Sequence, residues 1–170
     1  MKRAKPVSKQ RRDRKAEGEL VDALAQAAFV VMGVLTRIGA AHDLSLTQMR
    51  VLGILRDRKP RMAELADFLG LDKSTMSGLV ERAERRGLLE RGRNPDDGRA
   101  FDVAMTRAGR TLAARVHDEV IRELAPTVGR IDGAERRVLA RLLEQMLGVS
   151  NASIEMRAPP RKRARVLDAR

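Results

Sequence analysis

Residues 62–80 constrain the fold more than any other stretch, because most of their positions suit two short helices packed at a steep angle. They read Met-Ala-Glu-Leu-Ala-Asp-Phe-Leu-Gly-Leu-Asp-Lys-Ser-Thr-Met-Ser-Gly-Leu-Val. Ala66 is small where the second helix crosses, Gly70 suits the positive φ of a tight turn, and Asp72 suits a helix N-cap. The apolar contact positions between the two helices are filled by Leu65, Leu69, Leu71, Met76 and Leu79. The stretch therefore predicts a helix-turn-helix, which we place at 62–86.

The second helix of this motif carries small or hydrogen-bonding side chains along its first turns. They are Lys73, Ser74, Thr75, Ser77 and Gly78. Such side chains suit a helix that enters the major groove of DNA and contacts base edges and phosphates. The alternative interpretation of these residues is an ordinary polar helix face.

A two-stranded hairpin is predicted to follow, over residues 88–106. Phe101, Val103 and Met105 alternate with small or polar residues, which is strand spacing, and turn-forming residues occupy 94–98. A helix-turn-helix followed by a hairpin is a winged helix. Charged residues at the tip suit contact with the DNA backbone and minor groove, where an aspartate orients an arginine, although they also suit plain solvation. These residues are Arg93, Asp97 and Arg99.

Long apolar helices are predicted on both sides of the winged helix, at 17–41 and 107–148. Their apolar residues recur at helical spacing, but over a stripe wider than one protomer needs. We therefore expect these segments to form a dimer interface, the alternative being a purely intramolecular core. The expected fold class is mainly α with a small β-wing: a winged helix-turn-helix domain at 17–150, flanked by N- and C-terminal dimerisation helices.

Most of the formal charge of +12 lies outside this domain. Residues 1–16 carry +7 and residues 151–170 carry +4, which leaves +1 for 17–150. Both segments lack apolar periodicity, so we expect two disordered basic tails. Such tails bind polyanions or only keep the protein soluble. Aromatic residues make up 2% of the chain, which argues against proteins that stack single-stranded bases on aromatic side chains.

Several functional classes are disfavoured by residue usage. The chain has no cysteine and two histidines, and it shows neither a phosphate-binding loop nor a nucleophile–base pair. We therefore expect no metal site, no cofactor and no enzymatic activity. The uncharged run at 23–36 is shorter than the roughly 18–20 apolar residues that span a bilayer. We expect a cytoplasmic protein without a membrane partner.

At this point the sequence resembles the MarR family of transcriptional regulators. The resemblance covers about residues 20–148. It is carried by Leu-Ser-Leu-Thr-Gln-Met-Arg-Val-Leu (44–52), Asp-Lys-Ser-Thr-Met-Ser-Gly-Leu-Val-Glu-Arg (72–82), Arg-Arg-Gly-Leu-Leu-Glu-Arg (85–91), Asp-Asp-Gly-Arg (96–99) and Val-Ala-Met-Thr (103–106).

The resemblance implies a homodimeric repressor that binds a palindromic operator in double-stranded DNA and is released by a small aromatic or anionic effector. It adds Arg82 to the DNA-facing residues and indicates Met32 and His42 as pocket residues. On residue chemistry alone, His42 also suits a helix cap or the surface, and Arg37 suits either contact with an anionic effector or plain solvation. Gly78 departs from the family, in which many members carry a longer side chain there. Two alternatives stay open: a ligand-independent architectural or nucleoid-type DNA-binding protein, and a protein-interaction winged helix without a DNA role.

Overall fold

The structure is a computed structural model that describes residues 7–56, 58–95, 97–98 and 100–148. Within these residues the chain forms six helices and one two-stranded antiparallel sheet. The helices are α1 (Val7–Ala41), α2 (Leu46–Leu55), α3 (Met62–Leu69), α4 (Lys73–Arg85), α5 (Arg107–Val128) and α6 (Gly133–Leu147). The strands are β1 (Leu89–Arg93) and β2 (Phe101–Met105). This order confirms the expected fold class, a mainly helical winged helix with a small β-wing.

The helix boundaries follow local capping chemistry. The Ser45 hydroxyl accepts a hydrogen bond from the Gln48 backbone N–H at 3.2 Å, and the Gln48 side chain accepts one from the Ser45 N–H at 2.8 Å. This reciprocal box starts α2. Gly70 ends α3 in the left-handed conformation, with φ 68°, which glycine adopts without the steric cost of a Cβ. Thr106 and Asp132 cap α5 and α6.

The wing is attached to the helices by backbone contacts. β1 and β2 pair antiparallel from Leu89↔Met105 to Arg93↔Phe101. The Val103 N–H donates to the Pro60 carbonyl oxygen at 3.0 Å, so the segment before α3 borders the sheet on its other side. At Gly109 in α5, an added Cβ would lie 2.0 Å from the Leu88 carbonyl oxygen. Glycine therefore lets α5 pack directly against the start of the wing.

The hydrophobic core lies almost entirely in the segment 44–105. Leu65, Met76, Val80 and Val103 are fully buried at 0% exposure, and no charged side chain in the described part of the chain is buried with them. Helix α1 contributes Val34 and Ile38 at its C-terminal end, and α5 contributes Val116. Helix α6 has no buried residue. We call residues 44–105 the lobe, because its core is complete within one protomer.

The first helix begins earlier than expected. Helix α1 starts at Val7 rather than at residue 17, so the expectation of a disordered tail is wrong for residues 7–16. Those residues contain no Gly or Pro and are rich in Lys, Arg and Gln. Residues of this kind extend an existing helix readily, because nucleation has already occurred. Residues 1–6 and the expected tail at 151–170 lie outside the described residues.

Helix α1 is long and contains a strongly apolar segment. Among the described residues, the segment Arg11–Ala41 meets the length and composition of a membrane-crossing helix. This segment is longer than the uncharged run at 23–36, because it also includes the charged residues on both sides of that run. Length and composition are weak indicators, since a helix in the core of a soluble protein satisfies them equally.

Candidate DNA interface and effector groove

The recognition surface is one face of α4. Met76, Leu79, Val80 and Ala83 face the lobe core, so the opposite face of the helix points outward. On that outward face Lys73, Ser74, Thr75 and Arg82 are exposed, while Ser77 and Gly78 are half-buried. All six residues that the sequence predicted on this helix are therefore at least partly exposed.

Two of these side chains are held by the helix cap. The carboxylate of Asp72 accepts hydrogen bonds from the Ser74 hydroxyl at 2.5 Å, the Thr75 hydroxyl at 2.6 Å and the Thr75 backbone N–H at 2.8 Å. Hydrogen bonds from the Ser74 and Thr75 hydroxyls hold the pKa of Asp72 far below its ordinary value. Because their protons are donated to Asp72, Ser74 and Thr75 present only acceptor oxygens to a ligand.

At Gly78, in the middle of the recognition surface, the helix carries no side chain of its own. Gly78 lies one turn before Arg82, and the Arg82 guanidinium is the single neighbour that an added Cβ at Gly78 would meet, at 3.5 Å. The long side chain of Arg82 therefore covers the turn that contains the glycine.

The wing tip is organised by an asparagine that sequence reasoning missed. The Asn94 side-chain amide donates to both carboxylate oxygens of Asp102, at 2.8 and 3.0 Å, and its oxygen accepts the Asp97 backbone N–H at 2.9 Å. Asn94 therefore closes the loop between the two strands. Arg93 is exposed at the end of β1, and Asp97 is exposed in the loop. The predicted contact between Asp97 and Arg99 falls on Arg99, which lies outside the described residues.

Other arginines near α4 are held by contacts within the protein. Arg91 donates to both carboxylate oxygens of Glu84, at 3.0 and 2.6 Å. Arg86 donates to the backbone carbonyl oxygens of Asp43 at 2.5 Å and His42 at 3.0 Å, which ties the end of α4 to the end of α1. Within the described part of the chain, Lys73, Arg82 and Arg93 make no ion pair. Their charges are therefore available to a polyanion.

A groove opens between α1, α2 and α5. Its volume is about 580 Å³. The lining is mostly apolar, with cationic groups among it. The lining residues are Met32, Leu35, Leu46, Met49, Arg50, Leu52, Gly53, Arg56, Ala113, Val116, His117 and Val120. Among them, an Arg56 guanidinium nitrogen lies 3.4 Å from His117 Nδ1. We call this cavity the effector groove.

One groove residue also contacts the helix-turn-helix. The Arg50 guanidinium lies 5.5 Å from the ring centroid of Phe68, in α3. This is the geometry of a cation–π interaction.

The predicted effector residues separate into two groups. Met32 lines the groove. Arg37 instead pairs with Glu123 at 2.6 Å, and His42 Nε2 lies 2.9 Å from a Glu119 carboxylate oxygen. These two contacts join α1 to α5, and neither residue lines the groove. His117 lines the groove together with Val116 and Val120, and it was not predicted from the sequence. No sequence signal shows which face of α5 packs against α2.

Apolar side chains remain exposed on α1 and α6. In the α1 segment 20–32, Phe29 is 76% exposed and Val21 is 62% exposed. In α6 the exposed apolar residues are Val138, Leu139, Leu142, Met146 and Leu147, and Leu147 reaches 72%. We call these two sets the terminal faces. Large apolar areas of this kind mark surfaces that meet another protein.

A helix-turn-helix that exposes Lys73 and Arg82 on its outward face and is followed by a hairpin wing defines the chain as a winged-helix DNA-binding protein. Comparison with known proteins then identifies the family. A model of the MarR family matches residues 42–100. The homoprotocatechuate degradative operon repressor of Escherichia coli is 26% identical over 138 residues, which cover 80% of this chain and 93% of that protein.

The transcriptional repressor NicR of Pseudomonas putida is 30% identical over 106 residues, covering 62% of this chain and 67% of that protein. Among solved structures, the repressor CouR bound to a 23-mer DNA duplex superposes with a TM-score of 0.63 at 26% identity, covering 76% of this chain and 96% of that one. The chain belongs to the MarR family and is a DNA-binding transcriptional regulator.

Proposed function

We propose that the protein is a cytoplasmic, homodimeric repressor that binds a palindromic operator and is released by a small aromatic anion. It acts through binding rather than catalysis. The observation that carries this proposal is the combination of a complete winged-helix lobe with apolar terminal faces that the lobe leaves uncovered. Pairing those faces between two copies presents two recognition helices related by a two-fold axis. Half-sites about 34 Å apart suit such a pair.

The proposed DNA-facing residues have different roles in binding. Lys73 and Arg93 supply phosphate contacts, which give affinity without reading sequence. Arg99 enters the minor groove. Ser77 and Arg82 supply contacts to base edges. Ser74 and Thr75 act mainly with Asp72 to fix the start of α4, and Asp97 acts within the wing loop. The basic segments 1–16 and 151–170 add salt-dependent affinity for any duplex.

Selection of bound sequences from a pool of random DNA duplexes tests the proposed operator. We expect enrichment of an inverted repeat with half-site centres about one helical turn apart. A pool that stays random while binding is retained would favour an architectural DNA-binding protein. Loss of all duplex binding would favour a winged helix that contacts other proteins.

The effector groove suits an aromatic carboxylate. Its apolar walls fit a ring, and Arg50, Arg56 and His117 offer hydrogen bonds and positive charge to an anion. The relatives include a repressor of homoprotocatechuate degradation, and a MarR-like fold has been solved with 4-hydroxyphenylacetate. We infer that such an anion draws Arg50 away from Phe68 and alters the position of α3. Effector couplings are typically worth about 1–3 kcal/mol, or roughly 5- to 150-fold in affinity.

Titration of the protein–operator complex with 4-hydroxyphenylacetate and homoprotocatechuate tests this inference. We expect release of the wild type, and a weaker response in His117→Leu and Phe68→Leu with operator affinity retained. Arg37→Ala is the matched control, since Arg37 pairs with Glu123 outside the groove. An equal response in His117→Leu and the wild type would contradict the placement of the effector.

A further inference from the structure

Gly78 is unexplained by the folding of α4. It lies inside a helix of 13 residues, where glycine is less favourable than alanine because its backbone loses more freedom. Its φ is not positive, and among the described residues no buried side chain, and no backbone atom beyond the neighbouring turns of α4 itself, lies within 4 Å of the position of a Cβ. Neither a turn nor a close helix contact requires glycine there. The one neighbour of that position is the Arg82 guanidinium.

The side chain of Arg82 therefore uses the space that a longer residue at 78 would fill. In an α-helix, long side chains lean toward the N-terminus over the preceding turn. Arg82 does so, and its Nη1 atom lies 3.5 Å from the Cβ position of Gly78. The guanidinium is thereby moved from the last turn of α4 toward its middle, closer to the turns that enter a major groove.

No acidic partner holds Arg82 in this position. Within the described residues it makes no ion pair, whereas its neighbours Arg86 and Arg91 are held by backbone carbonyl oxygens and by Glu84. On the same row of the helix, the Ser74 hydroxyl is donated to Asp72. Arg82 is therefore the one long hydrogen-bond donor along the row Ser74–Gly78–Arg82.

Resting on the proposed function, we propose that Gly78 and Arg82 act as one specificity determinant, in which the glycine opens a path for Arg82 to read a guanine in each half-site. The planar guanidinium donates two parallel hydrogen bonds to guanine O6 and N7, a pairing that lysine does not reproduce. Any side chain longer than alanine at position 78 displaces the guanidinium from this path.

The test is selection from random DNA duplexes with the full chain and four variants, followed by affinities for the selected operator and its single-base changes. We expect Arg82→Ala and Gly78→Leu to lose preference at the same base pair of each half-site. The wild type should discriminate there by about 5- to 150-fold, the range of one good bidentate contact. Arg82→Lys, which keeps the charge, should lose the same preference. Arg85→Ala removes one exposed positive charge from the same helix and should keep the wild-type motif.

The outcomes separate this inference from the proposed function. If Arg82→Ala lowers affinity equally for all duplexes and Arg82→Lys restores the wild-type motif, Arg82 contacts phosphate and the inference is wrong. It is also wrong if Gly78→Leu keeps the preference that Arg82→Ala loses. If the wild type enriches no motif, the operator proposal itself fails. Thermal unfolding of each variant is the control for folding, and we expect each variant to unfold cooperatively as the wild type does.

Discussion

The lobe buries most of its large apolar side chains within one chain, whereas α1 and α6 leave many of theirs exposed. In the lobe, residues such as Met76 and Val103 are 0% exposed, and α2, α3, α4 and the wing enclose them within one chain. In the α1 segment 20–32 and in α6, side chains of the same chemical types remain open, with Phe29 at 76% and Leu147 at 72% exposure. The lobe is therefore complete in one protomer, and the terminal faces are complete only when a second surface covers them.

This difference assigns separate tasks to the two regions. The lobe holds α4 and the wing within one chain, and we propose that the terminal helices set the distance between two such lobes. The effector groove lies between the regions, lined by α1 and α5 on one side and by α2 on the other. A ligand there contacts both the part that reads DNA and the part that sets the spacing.

The largest effect is expected from a charge on a terminal face. Leu142→Asp places a carboxylate in the proposed dimer interface, where an unpaired buried charge costs about 3–5 kcal/mol. We expect a monomer in sedimentation experiments and a loss of operator binding, while the lobe stays folded by circular dichroism. Leu142→Met preserves the apolar volume and should sediment as the wild type. A Leu142→Asp protein that keeps the wild-type mass would show that α6 is not in the interface.

Two methionine substitutions distinguish the lobe from the terminal faces by whether their stability cost depends on protein concentration. Met76→Ala removes a fully buried side chain of the lobe and should lower the free energy of unfolding by about 2–5 kcal/mol at every protein concentration. Met146→Ala changes a residue that is 53% exposed in the protomer. Its cost should depend on protein concentration, because it weakens association. Urea unfolding at two concentrations measures both, and a concentration-independent cost for Met146→Ala would contradict the comparison.

A smaller effect is expected where α1 meets α5. The Arg37–Glu123 pair is short, at 2.6 Å, but its side chains are 64% and 46% exposed. Exposed ion pairs contribute about 0–1 kcal/mol. Arg37→Ala should therefore lower stability by less than about 1 kcal/mol, and by less still at high salt. Denaturant unfolding at low and high salt checks this, and a salt-independent loss of several kcal/mol would contradict a solvent-screened pair.

The smallest effect belongs to the cap of α4 and depends on pH. The folded-state pKa of Asp72 lies far below its ordinary value of 3.8, so the ionised carboxylate stabilises the folded state. That contribution is fully present above about pH 4 and is lost as the pH falls toward the folded-state pKa. The stability difference between the wild type and Asp72→Asn should shrink below pH 4 in urea unfolding. A difference that stays constant from pH 7 to pH 3 would contradict the role of the charge.

Local chemistry explains why much of the lobe could be predicted from the sequence. The helix-turn-helix depends on Ala66, Gly70 and Asp72, and each occupies the conformation that its side chain favours. The alternation of Phe101, Val103 and Met105 likewise placed β2. Such features are set by residues within a few positions of one another, so they are visible in the chain.

The remaining features depend on contacts between distant residues. Arg37 and His42 lie 86 and 77 positions from their carboxylate partners, and no local pattern connects them to α5. His117 lines the groove because α5 packs against α2, which spacing along one helix does not reveal. Asn94 lies between these two groups. The hairpin that its bond to Asp102 closes was predicted, but the residue preferences of turns do not identify Asp102 as its partner.

Sedimentation equilibrium of the full chain, alone and with its selected operator, tests most directly whether the terminal faces join two complete lobes. The predicted mass of the free protein at micromolar concentration is twice the chain mass of 18.9 kDa, with one such dimer bound per palindromic duplex. A free protein of 18.9 kDa that binds a single half-site with undiminished affinity would contradict the account.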